Sequence, residues 1–176
     1  MDYKTIVIRL LVAVLVGGLV GYEREHKDSP AGFRTHILVC VGAAIISLIS
    51  ENNLQRAMEL AQIQAYENII KIDMGRLGAQ VVSGIGFLGA GTILRDRGSV
   101  RGLTTAATLW LVACLGLAVG QGLYSLALTG AFIVFITLSL FKKADKFINK
   151  RKGKASKEKK EKRRDEVYLD NEETGN

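Results

Sequence analysis

The chain reads as an all-α polytopic membrane protein with five transmembrane helices, its N-terminus outside and its C-terminus cytoplasmic. Three observations predict this. Apolar residues make up 48% of the 176 residues, yet they gather into five blocks nearly free of charge. Lysine and arginine concentrate in alternate connections between those blocks. Glycines crowd residues 83–91, SGIGFLGAG, where each would cost a soluble helix roughly 1 kcal/mol relative to alanine. In a bilayer the same small residues let helix backbones approach closely.

A spanning helix needs about 20 residues. The first block, Ile6–Val20, is interrupted by Arg9 and reaches that length with Thr5 and Gly21. Its start resembles a signal peptide, but Glu23, Arg24 and Glu25 follow it where a small-residue cleavage site would stand. It is therefore read as a retained helix. The second block, Ile37–Ser50, has only 14 residues. It spans if Arg34 and His36 occupy its first turn and snorkel. Between residues 51 and 76, Leu54, Met58, Ala61, Ala65, Ile69 and Ile72 fall on one stripe, with Glu51, Gln55, Glu59, Gln62 and Asn68 elsewhere. This predicts a separate amphipathic helix on the outer face.

The third block, Leu77–Leu94, carries the glycines. At 100° per residue Gly84 and Gly91 share one face, and Gly86 and Gly89 lie nearly opposite. The expected role is a central helix packed on both sides. A partly unwound, ion-binding helix is the alternative. The pairs Gly17/Gly21 and Gly116/Gly120 have G-x-x-x-G spacing and are expected to be its partner faces. The fourth block is Leu103–Gly120 and the fifth Leu123–Phe141. Thr104, Thr105 and Thr108 offer hydroxyls at the start of the fourth, either to a neighbouring helix or to their own helix backbone. Trp110, in mid-span, is expected to pack inside.

Orientation follows from the short loops. Residues 22–35 and 95–102 each hold three basic residues in 14 and eight positions, whereas 51–76 spreads three over 26. The segment 142–176 holds 13 basic and 8 acidic residues against 11 and 9 in the remainder, so +5 of the net +7 belongs to it. The high charge is thus not a nucleic-acid signal. The segment lacks apolar residues for a core and is expected to be a disordered cytoplasmic tail. Anionic lipid is its expected partner. Residues 1–141 would form the membrane domain.

Ionisable groups at membrane depth are functional candidates. Glu23, Arg24, Glu25, Arg34, His36, Arg95 and Arg101 converge on the cytoplasmic side, where Glu23 or Glu25 is expected to pair with Arg34, Arg95 or Arg101. Asp73 and Arg76 lie on the outer side at helix-pair spacing; Arg9 either pairs with Asp73 or snorkels to the interface. His36 and Cys40 share a helix face, but no second pair completes a tetrahedral site, so packing is the expected role of both. Mid-span cysteines exclude an extracellular disulfide framework. Neither a P-loop nor an H-E-x-x-H motif is present, so no cofactor and no enzymatic activity are expected.

GYERE at 21–25, AGFRTHILV at 31–39, DMGRLGAQVVSGIGFLGAGTILR at 73–95 and SVRGLTTAATLW at 99–110 closely resemble motifs of the MgtC/SapB family of bacterial inner-membrane proteins. The resemblance covers roughly Leu10 to Phe141. It implies a five-helix membrane domain, a link to magnesium limitation or stress adaptation, and in some pathogens survival inside host cells. Family members are labelled magnesium transporters, and several look like regulators of other membrane systems. Carried over by motif, the functional positions are Glu23, Arg24, Glu25, Arg34, His36, Asp73, Arg76, Arg95 and Arg101. Two departures stand out. Met74 follows Asp73 where proline is frequent, and the charged tail is too short and polar for the soluble C-terminal domain of many relatives. Mg²⁺ prefers carboxylates and water, and the spans hold almost no mid-membrane carboxylate. Regulation of other membrane proteins is therefore the expected function, with homo-oligomerisation open. A channel or secondary carrier for Mg²⁺ or another cation is the alternative.

Overall fold

The structure is a computed structural model and describes residues 1–27, 29–62, 75–96 and 99–140. The elements are α1 (Tyr3–Glu25), α2 (Phe33–Ala61), α3 (Arg76–Ala90), β1 (Leu94–Asp96), β2 (Ser99–Arg101) and α4 (Leu103–Gly120), followed by α5 (Tyr124–Leu140). The all-α polytopic class stands. Helices α1, α2 and α4, with 23, 29 and 18 residues, are long and apolar enough to cross a membrane. The third and fifth are shorter than expected. Helix α3 has 15 residues, and α5 has 17 within the described residues. Residues 1–135 form one compact unit; the second, 136–176, is described only through Leu140, the end of α5.

The core of the first unit is α1, α2 and α4, with α2 in the middle. Its buried stripe is Cys40, Ala43, Ala44 and Ser47. These small residues receive the glycines of both neighbours. A Cβ at Gly17 would meet His36 O at 2.8 Å and Cys40 Cβ at 2.9 Å. A Cβ at Gly116 would fall inside contact distance of Cys40 O and meet Ala43 Cβ at 2.9 Å. Gly21 packs on Phe33 and His36, and Gly120 on Ser47 and Ala44. Both G-x-x-x-G pairs are therefore helix seams, but their shared partner is α2 and not the glycine-rich third helix.

That helix is not central. Within α3 only Gly89 is buried, and a Cβ there would meet Ala106 of α4 at 3.5 Å. Cβ atoms at Gly84 and Gly86 would have nothing within 4 Å, and one at Gly91 would meet only the carbonyls of Phe87 and Leu88 in its own helix. Gly84 borders an open apolar cleft of about 310 Å³ between α2 and α3. The helix is also continuous through Gly84, Gly86 and Gly89, so no unwound segment exists there. Phe87 points outward, 87% exposed, which suits a helix with one face to lipid.

Two turns fix the connections. Gly122 takes φ +78°, with its N–H on Val119 O and that of Leu123 on Ala118 O, both at 2.9 Å. This is the Schellman pattern that satisfies the last carbonyls of a helix. Gly102 takes φ +87° before α4, and a Cβ there would collide with Thr92 O.

Two further expectations change. Residues 51–61 are not a separate amphipathic helix but the continuation of α2, so Leu54, Met58 and Ala61 lie on that same helix. The rest of that stripe lies outside the described residues. Trp110 is 44% exposed, because its face of α4 points away from α2. The expected cytoplasmic tail also falls outside the described residues.

Candidate functional site

The sequence of α1 ends in Glu23-Arg24-Glu25, and α2 begins eight residues later at Phe33. The tight connection brings the end of one helix beside the start of the next. Glu25 Oε2 accepts a hydrogen bond from Phe33 N at 2.8 Å. The carboxylate thus caps an N-terminus whose backbone donors and dipole favour negative charge. Gly32 permits this approach, since a Cβ there would overlap Glu25 Oε2.

One turn further in, five polar side chains share a buried position between α1, α2 and α4. Glu23, Arg24, His36, Thr105 and Thr108 are all at most 9% exposed. Arg24 Nη2 donates to Thr105 Oγ1 at 3.3 Å, and Arg24 Nη1 lies 3.7 Å from Glu23 Oε2. Lys27 Nζ reaches Glu23 Oε1 at 2.6 Å. Arg24 Nε and Glu23 Oε2 have no hydrogen-bond partner. His36 Nδ1 lies 2.8 Å from Gly32 O; a carbonyl only accepts, so Nδ1 carries the proton. His36 Nε2 meets Thr108 Oγ1 at 3.0 Å, and Thr108 Oγ1 donates to Thr105 O at 3.0 Å. The hydroxyl has one proton and two acceptors when the ring is neutral. His36 and the threonines therefore form one shared network joining α2 to α4.

The network can be tested directly. Thr108→Val is expected to leave His36 Nε2 unpaired in a buried place, at a cost of about 1–3 kcal/mol. Thr104→Val, at an exposed position of the same turn, should be near neutral. Denaturant unfolding of both variants in detergent micelles checks the difference.

A second polar cluster lies at the far end of α1, roughly 21 Å away for 14 residues at helical rise. Arg9 Nη1 donates to Glu51 Oε2 and to Gly120 O at 2.7 Å. One guanidinium from α1 thus ties α2 to the end of α4. Among the described residues the carboxylate partner of Arg9 is Glu51; its candidate partner from the sequence, Asp73, lies outside them. Beside this pair, Ser47, Ser50, Glu51, Leu54 and Gln121 line a recess of about 370 Å³. Ser47 Oγ is buried there without a partner.

Of the sequence candidates, Glu23, Arg24, Glu25 and His36 come together. Arg34, Arg95 and Arg101 are exposed, and no ion pair joins them to Glu23 or Glu25 among the described residues. The expected acid–base convergence is replaced by local pairing on α1, because Lys27 and Arg24 are nearer to Glu23 than any loop arginine. Arg76 opens α3. The four glycines Gly84, Gly86, Gly89 and Gly91 divide as described above, with Gly89 alone at a helix contact. Thr105 and Thr108 emerge as members of the network, and Glu51 as the half-buried partner of Arg9.

Comparisons with known proteins identify the family. The MgtC family matches residues 10–147. YhiD of Escherichia coli strain K12, named as a candidate magnesium transporter, is 36% identical over 135 residues, covering 77% of this chain and 60% of its own. Protein MgtC of Salmonella typhimurium strain LT2 is 40% identical over 143 residues, 81% of this chain and 55% of its own. Protein SrpB of Synechococcus elongatus is 38% identical over 150 residues, 81% of this chain and 78% of its own. The chain thus spans little more than half of YhiD and MgtC. No solved structure matches. Family match, helical bundle and shared motifs lead to one conclusion: the chain belongs to the MgtC family of membrane proteins.

Proposed function

We propose that the protein is a multi-pass regulator in the bacterial inner membrane, active when magnesium is limiting, that works through contacts with other membrane proteins and does not itself carry Mg²⁺. One observation supports this most. The carboxylates bordering the helical core are already engaged by the chain's own donors. Glu23 holds Lys27 and Arg24, Glu25 holds Phe33 N, and Glu51 holds Arg9. Between the two polar ends the buried residues are apolar, Val16, Val20, Cys40, Ala44, Leu109 and Val112. A Mg²⁺ ion demands near-octahedral oxygen ligands and dehydrates reluctantly, and such a belt offers it none.

The carrier alternative draws on the recess beside Glu51, whose unpartnered Ser47 hydroxyl is a spare oxygen. Entry there would require Glu51 to release Arg9. The tie to magnesium rests on the family and on the name of YhiD.

The test is loss of the protein followed by crosslinking. Cells lacking it are expected to grow poorly at low Mg²⁺, and a photo-crosslinker on the exposed face of α3, at Leu88, is expected to trap a discrete membrane protein in complemented cells. Restored growth with no crosslinked species from any exposed α3 position would contradict the proposal. The proposed orientation places the N-terminus outside. Labelling intact cells with a membrane-impermeant thiol reagent should modify Asn52→Cys and spare Val100→Cys; the reverse pattern would invert it.

A further inference from the structure

The hairpin between α3 and α4 has more surface than its few residues can stabilise alone. Its register pairs Leu94 with Arg101, Arg95 with Val100 and Asp96 with Ser99. Cross-strand partners project to the same face. Arg95 and Val100 therefore share one face of the ribbon, and Leu94 and Arg101 share the other. Each face sets an arginine beside an apolar side chain, and neither face is covered by protein. Leu94 is 60% exposed, Val100 51% and the adjoining Leu103 59%. Arg95 and Arg101 are exposed as well and make no ion pair among the described residues.

A two-stranded ribbon without a covering layer is marginal in water. This one is nevertheless fixed at both stems. Thr92 Oγ1 donates to Gly89 O at 2.8 Å, and Ile93 N bonds to Ala90 O at 3.0 Å. At the other stem, the φ of +87° at Gly102 sets its backbone against Thr92. The hairpin is thereby held at the ends of two apolar helices, of which α3 turns Phe87 and Leu88 outward at 87% and 45% exposure. Such helix faces belong in lipid, so the ribbon stands at headgroup depth. There an apolar side chain reaches the acyl boundary while a guanidinium forks onto phosphate oxygens.

We propose that the β1–β2 hairpin is a docking surface for anionic lipid, with Leu94 and Val100 set into the acyl boundary and Arg95 and Arg101 holding the headgroup phosphate. The charge decides the lipid class. Zwitterionic headgroups present their own ammonium beside the phosphate, and anionic ones do not. Each basic residue near an anionic surface contributes about a fivefold preference, so the two together give at most roughly thirtyfold. This surface is independent of the regulatory reading, since it requires only that α3 and α4 lie in the membrane.

The experiment uses the full chain in vesicles with its one tryptophan moved to the hairpin, Trp110→Phe with Val100→Trp. Quenching by phosphatidylglycerol brominated in the acyl chains is compared with quenching by brominated phosphatidylcholine, each diluted in the unbrominated other. The expected result is a severalfold preference for phosphatidylglycerol at low salt that shrinks as salt is raised. Arg95→Gln with Arg101→Gln should bring the ratio close to one, and Arg56→Gln on exposed α2 should leave it unchanged. Equal quenching by the two lipids in the parent chain would overturn the proposal, as would emission and quenching typical of tryptophan in water. Parent-chain ratio and salt dependence decide the matter even if the double variant fails to fold.

Discussion

Gly116→Leu is expected to abolish accumulation of folded protein, whereas Gly84→Leu should leave it near the wild-type level. A Cβ at Gly116 falls inside contact distance of the Cys40 carbonyl and 2.9 Å from Ala43 Cβ. Backbone atoms cannot rotate out of the way, so α4 and α2 must separate. Overpacking an ordinary core costs about 1–3 kcal/mol, and here the added bulk strikes the seam between two core helices. At Gly84 the added side chain enters the open cleft between α2 and α3, with nothing within 4 Å of its Cβ. Size-exclusion profiles and thermal inactivation of detergent-solubilised variants measure both. Equal behaviour of the two would show that α2 is not the central helix.

The second large effect concerns the charges at the end of α1. Glu23→Leu is expected to destabilise the protein by about 3 kcal/mol, the low end of what removing one partner of a buried pair costs. Arg24 is 7% exposed, and its remaining polar contact to a side chain is the long one to Thr105. Without Glu23 its charge stays desolvated and uncompensated. Glu23→Leu with Arg24→Leu should recover a large part of the loss, because removing both charges leaves no orphan. Unfolding of the two single variants and the double variant gives the coupling. Additive losses would mean that the pair does not act as one.

Helices α1 and α4 were legible as apolar runs, α2 only by adding Arg34 and His36 to a 14-residue block, and the two G-x-x-x-G pairs marked real seams. Their partner was not legible. Small-residue spacing identifies a face that another helix approaches, and it does not say which helix. The dense glycines of the third helix misled for the same reason. Small residues on two faces allow packing on both sides without requiring it, and α3 leaves Gly84 and Gly86 against open space.

Among polar residues, His36 was read as a packing group for want of further ligands nearby, and it lies buried between Gly32 O and Thr108 Oγ1. Its partner Thr108 belonged to a threonine set whose bonding remained open. Glu51 was missed because the apolar block ends at Ser50, which made the next residues look like a surface helix. A signal for it existed. Cys40, Ala44, Ser47 and Glu51 follow one helical stripe, so a small-residue seam points straight at that carboxylate. Arg9 on α1 is its natural partner once both helices are taken as antiparallel neighbours. The grouping of Glu23, Arg24 and Glu25 was legible as a cluster but not as local pairing, since sequence distance gives no measure of which arginine lies nearest.

We propose that the protein acts without conducting Mg²⁺, its bordering carboxylates being held by Arg24, Lys27, Arg9 and the α2 backbone. Magnesium flux into liposomes containing the full chain and a trapped Mg²⁺ indicator tests it most directly. The expected result is uptake indistinguishable from empty liposomes at any Mg²⁺ gradient, for the wild type and for Glu51→Gln alike. Saturable uptake above that baseline, reduced by Glu51→Gln or by Asp73→Asn, would contradict the account and assign the recess beside Glu51 to an ion path.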